Sequence, residues 1–331
     1  MSMTRWIGLA VGLLISSASW AAATGTGGLI NQQDGPWQPA APGVQIPLWP
    51  EGLSIARPVT PGKEVFGTGG GKIANLPVTI VQLVSRPTMT IYPPKGQNTG
   101  AAVLVFPGGG YRVLAIDLEG TEICDWLTAK GITCAVLKYR VPGSGPYWND
   151  ECNCRRIPAA PMALQDAQRA MGLLRERAAT LGVDPHRIGV VGFSAGGRMV
   201  ADISNHAKRS YPPIDAADQQ SSRPDFAMAM YPGHLWKEPG LTLDPGVKID
   251  PACPPTFIVQ AEDDATDDVR ESLTYYLALQ QAKIPVEMHL YAKGGHAFGV
   301  RRTPNPITHW TELAEQWMSA IGMVPAQRRG G

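Results

Sequence analysis

The sequence predicts an α/β protein with a mostly parallel central sheet and helices on both faces, and three observations carry that prediction. Short apolar runs alternate with amphipathic stretches through most of the chain, the signature of strand–helix–strand units. A serine stands in Gly192-Phe193-Ser194-Ala195-Gly196, between one such run and a helical stretch. A histidine stands in Gly294-Gly295-His296-Ala297-Phe298-Gly299, just beyond the last apolar run.

The 331 residues could hold one large α/β domain or two small ones, and no internal repeat or second domain is apparent, so residues 51–325 are read as a single domain. A hydrophobic content of 44% with 17% charged residues describes a globular chain with a sizeable core. The net charge of +1 gives no reason to expect a nucleic acid or an anionic membrane as partner. Residues 1–23 read as a secretory signal peptide: Arg5 is a basic start, 7–15 an apolar run, and 16–23 small and A-x-A-like, with cleavage after Ala21 or Ala23. That apolar run is too short to span a bilayer, and no later segment is long enough, so a secreted or periplasmic protein is expected. Residues 24–50, rich in Gly, Pro, Ala and Gln, read as a linker.

Export permits disulfides. The five cysteines are Cys124, Cys134, Cys152, Cys154 and Cys253, an odd number that leaves at least one free or paired between chains. Cys152 and Cys154 share a loop without the further His or Cys a tetrahedral metal site needs, so loop stapling is expected rather than a metal.

Taken in order, Gly67-Thr68-Gly69-Gly70-Gly71-Lys72 fails as a phosphate loop, because Phe66 and Ile73 occupy the positions of its first glycine and its Mg²⁺-binding hydroxyl; a flexible loop is expected. Residues 78–84 and 89–92 suit edge strands, interrupted at Pro87. Residues 101–106 are continuously apolar, as a buried parallel strand is. A helix over 118–129 presents Ile123, Trp126 and Leu127, and Gly131 ends it. Residues 132–137 form the next buried strand, and 141–158 a loop. The helix over 160–181 aligns Leu164, Ala167, Ala170, Met171 and Leu174. After the breaker pair Asp184-Pro185 come the strand 187–191 and the helix 195–206. Strands over 226–231, 256–260 and 286–291 follow, the last two separated by a helix over 269–282, and an amphipathic helix over 307–321 closes the chain.

A serine at a sharp strand-to-helix turn is the context of a nucleophile elbow. The flanking glycines leave room for the strained turn, and the Ala195 N–H, at the helix start, points to where an oxyanion would develop. Such a hydroxyl needs a base. Of the six histidines, His296 has the glycine-framed loop at a strand's carboxyl end; His186, His206, His234, His289 and His309 lie in helix, strand or plain turns. The imidazole in turn needs a carboxylate to fix its tautomer. The strand 256–260 runs into Ala261-Glu262-Asp263-Asp264-Ala265-Thr266-Asp267-Asp268, where Asp264 is the choice and Asp263 and Asp267 are rivals. The remaining acids read as solvated, or as oxygen ligands of the kind Ca²⁺ takes. Pro107-Gly108-Gly109-Gly110-Tyr111 follows strand 101–106, and its side-chain-free backbone offers the Gly109 and Gly110 N–H groups as oxyanion donors beside Ala195.

Together with Glu119-Gly120, residues 137–140, 163–170 and 187–197, these stretches resemble the α/β-hydrolase superfamily, and more narrowly its secreted esterase/lipase branch, which includes acetyl xylan esterases and feruloyl-esterase-like proteins. The resemblance covers residues 90–322. It implies the α/β-hydrolase fold and hydrolysis of short acyl esters, including acetyl groups on a plant polysaccharide such as xylan, without metal or cofactor. Ser194 would attack, His296 would shuttle the proton, and water would release the acyl group. Three features depart from the pattern: Pro107 replaces a histidine often found in the oxyanion loop, Arg198 stands where relatives often carry histidine, and the acidic loop has one extra residue. Tyr111, with Tyr147 and Trp148 of loop 142–158 and Trp236 beside His234 in loop 231–239, offers aromatic faces for a sugar substrate. Competing readings are a serine peptidase of the prolyl-oligopeptidase type (for whose propeller this chain has no room), a lipase, or a binding protein on an inactive hydrolase fold. The oligomeric state is left open.

Overall fold

The computed structural model describes residues 29–55, 62–141, 161–206 and 208–325, and the backbone of 148–149 and 154–155. The chain begins with β1 (Ile30–Asp34), β2 (Val44–Pro47), β3 (Val65–Ile73), β4 (Leu76–Gln82) and β5 (Thr88–Tyr92). Then come β6 (Ala102–Phe106), β7 (Val113–Ala115), α1 (Glu122–Ala129), β8 (Thr133–Lys138), α2 (Pro161–Glu176), β9 (Ile188–Phe193) and α3 (Ala195–Asn205). The last elements are β10 (Phe226–Met230), β11 (Thr256–Ala261), α4 (Arg270–Gln281), β12 (Val286–Tyr291) and α5 (Trp310–Ala320).

An eight-stranded sheet in the order β12-β11-β10-β9-β6-β8-β5-β2 organises the described residues. Pairing is parallel from β12 to β8 and antiparallel where β5 and β2 join. The strands that read as continuous apolar runs are the ones buried on both faces: every residue of β6, β9, β10 and β11 is buried. β12 is an edge and mixes exposed with half-buried positions. Consecutive residues of β11 show how both faces are covered. Phe257 packs on Trp317 of α5, with ring centroids 5.4 Å apart, whereas Ile258 shares a cluster with Ala201 of α3 and with Tyr275 and Leu279 of α4. α1 lies beside α5, Trp126 meeting Trp310 edge-on at 5.0 Å and donating its indole N–H to Glu315.

Three expectations are corrected. The glycine run expected as a flexible loop lies inside β3, paired antiparallel with β4 in a second sheet of order β1-β3-β4-β7. Glycine fits there because the strands cross closely: a Cβ on Gly67 would come within 2.9 Å of the Ile30 carbonyl oxygen. The segment expected as a linker contributes β1 and β2, each an edge strand of its sheet and half-buried at most, which is why its polar composition conceals it. The helix expected from residue 118 opens with a π-type turn at Asp117–Thr121 and becomes α-helical only at Glu122.

Cys124 of α1 and Cys134 of β8 form a disulfide, and Cys253 is a buried thiol. The side chains of Cys152 and Cys154, and the expected stapling of their loop, lie outside the described residues. No helix among the described residues is long and apolar enough to cross a membrane.

Candidate active site

The loops after β6, β9, β10, β11 and β12 all leave the sheet at its carboxyl edge, where open α/β sheets hold their ligands. Ser194 follows β9 and caps α3 with φ +53° and ψ −118°, a strained conformation for a residue with a side chain. Packing enforces it. The Ser194 N–H donates to the Met230 carbonyl of β10, and its own carbonyl accepts from Gly197, Arg198 and Gly233. A Cβ on Gly192 would lie 2.1 Å from the Gly196 oxygen, and one on Gly196 would lie 2.1 Å from the Phe106 oxygen. Backbone blocks both positions, so no rotamer change relieves them. Gly196→Ala is therefore expected to cost roughly 3 kcal/mol of unfolding free energy, the upper end of overpacking effects, read as a lowered denaturant midpoint at unchanged slope.

His296 sits on the loop after β12. Its Nδ1 lies 2.7 Å from Asp264 Oδ2, and the ring is nearly fully buried against the edge of Tyr231, centroids 4.9 Å apart. The three rival aspartates separate by geometry. Asp263 accepts from the Gly294 and Gly295 amides at 2.9 and 2.8 Å, fixing the loop that carries the histidine. Asp264 receives the imidazole, and its carboxylate is itself held by the Gln260 side-chain amide at 3.1 Å and by the Thr266 and Asp267 N–H groups at 2.8 and 3.0 Å. Asp267 stands on the other side of the ring: its Oδ2 accepts from Ser194 Oγ at 3.2 Å and lies 3.7 Å from His296 Nε2. The serine hydroxyl and the imidazole thus meet at one carboxylate oxygen. Burial works to lower the His296 pKa, but the bond to Asp264 and the charges of Asp264, Asp267 and Glu119 outweigh it and hold the imidazole above its ordinary value.

The candidate oxyanion donors lie on the two turns that follow β9 and β6. Ala195 opens α3, where the first N–H groups have no partner within the helix. The Gly109 and Gly110 amides make no hydrogen bond to a described residue. The Gly108 amide is already committed, donating to Glu119 Oε2 at 2.8 Å. Glu119 is a functional candidate that sequence reasoning quoted without a role. It is completely buried, its other oxygen accepts from the Tyr231 hydroxyl at 2.8 Å, and burial raises its pKa. Tyr231 in turn receives the Gly299 amide at 3.3 Å, so one carboxyl ties the glycine loop to the histidine loop. An acid beside Leu118 and Gly120 at the buried start of a helix is the signal that could have drawn attention to it. Gln260, the buried support of Asp264, ended a predicted strand and gave no such signal.

The aromatic candidates are not gathered equally. Tyr111 is buried, with its ring stacked on His234 at 6.2 Å and edge-on to Tyr139, so it forms wall rather than open face. Trp236 is half-buried with the Arg270 guanidinium 3.6 Å over its ring, and Glu271 holds its backbone amide. Tyr147 lies outside the described residues, as does the side chain of Trp148. Arg198, noted as a departure from the family pattern, forms ion pairs with Asp202 and Asp244 and donates to the His234 carbonyl, bracing the loop under Tyr111.

A family model described as α/β hydrolase fold matches residues 156–243, the span that contains the elbow. A solved acetyl ester-xyloside bifunctional hydrolase from Caldicellulosiruptor lactoaceticus superposes with a TM-score of 0.65 at 28% identity, covering 85% of this chain and 97% of its own. The chain has the α/β-hydrolase fold and resembles acetyl xylan esterases. An acetylxylan esterase of Xylanibacter ruminicola is 28% identical over 248 residues, 68% of this chain and 45% of that protein. An ethyl acetate hydrolase of Pseudomonas putida is 28% identical over 162 residues, 48% of this chain and 44% of its own. The chain thus spans somewhat less than half the length of these curated relatives.

Proposed function

We propose that this α/β-hydrolase is a serine esterase that removes short acyl groups, with acetyl esters on a xylan-type polysaccharide as its substrate class. The observation that carries the reading is the His296 imidazole, bound at Nδ1 by Asp264 and sharing one Asp267 oxygen with Ser194 through its other nitrogen. With the Nδ1–H donating to Asp264, Nε2 is the atom left to take the serine proton. Ser194 Oγ would then attack the acyl carbon while the Ala195, Gly109 and Gly110 amides receive the oxyanion. His296 would pass the proton to the departing sugar oxygen, and a water activated by the same imidazole would hydrolyse the acyl-enzyme. The named activities of the acetylxylan esterase and of the acetyl ester-xyloside hydrolase support the choice of acyl group and polysaccharide.

An exported protein is part of the proposal. It rests on the signal-peptide pattern of residues 1–23, with the Cys124–Cys134 disulfide favouring an oxidising compartment.

The test is a substrate panel of p-nitrophenyl esters of rising chain length, acetylated xylan, feruloylated oligosaccharide and aminoacyl or peptide amides. kcat/KM should be highest for acetate and fall as the chain lengthens, acetate should be released from the xylan, and the amides should be inert. Preference for long-chain esters would make the protein a lipase, and turnover of peptide amides would make it a peptidase.

A further inference from the structure

A second carboxylate beside a serine and its imidazole is not required by acyl transfer, and in this protein one oxygen of Asp267 lies close to both. Asp267 is 3% exposed; Oδ2 touches Ser194 Oγ at 3.2 Å and stands 3.7 Å from His296 Nε2, and no hydrogen bond joins Ser194 directly to His296. If the imidazole is neutral, with its proton on Nδ1 toward Asp264, the Nε2 lone pair faces a carboxylate oxygen, acceptor against acceptor. If it is doubly protonated, the same contact becomes an ion pair, and the ring is held between Asp264 and Asp267. The surroundings favour the second state. The groups facing His296 are Asp264 and Asp267 from the loop after β11, Glu119 from the turn before α1, and the Tyr231 ring from the loop after β10; none is a cation. Asp263, on the histidine loop's own amides, adds a further negative charge nearby.

We propose that Asp267 is a positioning residue that holds the resting site closed: it binds the Ser194 hydroxyl and keeps the His296 imidazole protonated, so that Nε2 becomes a base only when that proton is lost and the hydroxyl turns from Asp267 to the imidazole. This rests on the serine-esterase reading. No co-reactant is needed, since one proton leaves Nε2 to solvent and the serine proton then replaces it. The sign is fixed by the contact. A carboxylate beside Nε2 stabilises the charged ring, so the acid limb of the kcat/KM profile lies above the ordinary imidazole range, and neutralising Asp267 moves it to lower pH.

The decisive measurement is the titration of the His296 ring by NMR, together with the pH profile of short-ester hydrolysis, in wild type and in Asp267→Asn. The variant should remain active and both midpoints should fall by about one pH unit, the size expected for loss of one neighbouring charge. Glu271, pushed up to about 7 by burial and by the charge of Asp267, could mimic this shift in a kinetic profile. The NMR midpoint belongs to His296 alone and removes that ambiguity, and Glu271→Gln should leave it nearly unchanged. An Asp267→Asn midpoint equal to wild type overturns the proposal. Should that variant not fold, Asp267→Ser gives the same comparison. A wild-type imidazole titrating at or below its ordinary value is by itself enough to reject it. Turnover persisting in Ser194→Ala would instead sink the esterase mechanism while leaving the His296 titration readable.

Discussion

Ser194→Ala is expected to abolish ester turnover, with kcat falling on the order of 10⁴- to 10⁶-fold while KM changes little. The loss is large because a serine, its base and the acid act as a unit, so removing the attacking oxygen leaves only what the oxyanion amides and substrate binding supply. Stability should barely respond. The Ser194 side chain makes one hydrogen bond within the described residues, to Asp267, and the strained backbone at 194 is held by amides and carbonyls that alanine keeps. The check pairs steady-state rates with a thermal melt, which should move by no more than a few degrees. A folded Ser194→Ala protein that still hydrolyses short esters would remove the serine from the mechanism. Unaltered biological behaviour of such a variant would favour a binding protein on an inactive fold.

How much of this was legible in the sequence follows from burial. The strands β6, β9, β10 and β11 were readable because both faces are covered, which forces an unbroken apolar run. The elbow and the histidine loop were readable because each glycine-framed pattern is complete within five or six residues, although part of the steric demand behind it is distant: Gly196 is held against Phe106 and Gly299 against Leu118. β1, β2 and β3 were not: edge strands tolerate polar residues, and Gly67 of β3 marks a close approach to β1 that shows only once the Ile30 segment is placed beside it. The choice among Asp263, Asp264 and Asp267 was open for a different reason. Adjacent acids on one turn have the same composition whatever they face, and their roles are assigned by contacts with residues about thirty positions away, on the histidine loop. Glu119 illustrates the same limit, since its two partners, Gly108 and Tyr231, belong to different crossovers of the sheet.

Those contacts give the second large prediction. Asp264→Asn should lower kcat by about 10⁴-fold, whereas Asp263→Asn and Asp267→Asn should each stay within roughly tenfold at their own pH optima. Asp264 is used only as an acceptor: one oxygen receives Thr266 and Asp267 N–H groups, the other receives Gln260 and the imidazole. An asparagine brings one oxygen and one NH₂. With the two backbone donors fixed, the oxygen stays with them and the NH₂ turns to Nδ1, which must then carry the lone pair. The imidazole proton moves to Nε2, the side facing Ser194, and the base is filled before the reaction begins. Asp263 has no such constraint, because one carbonyl oxygen serves its two glycine amides and the second oxygen's nearest cation, Lys293, is 3.8 Å away and exposed. Asp267→Asn likewise leaves an acceptor for the Ser194 hydroxyl while removing the charge. Rates for the three variants, each across its pH range, decide the assignment: a loss at Asp267 or Asp263 that exceeds the loss at Asp264 would move the triad acid to that residue.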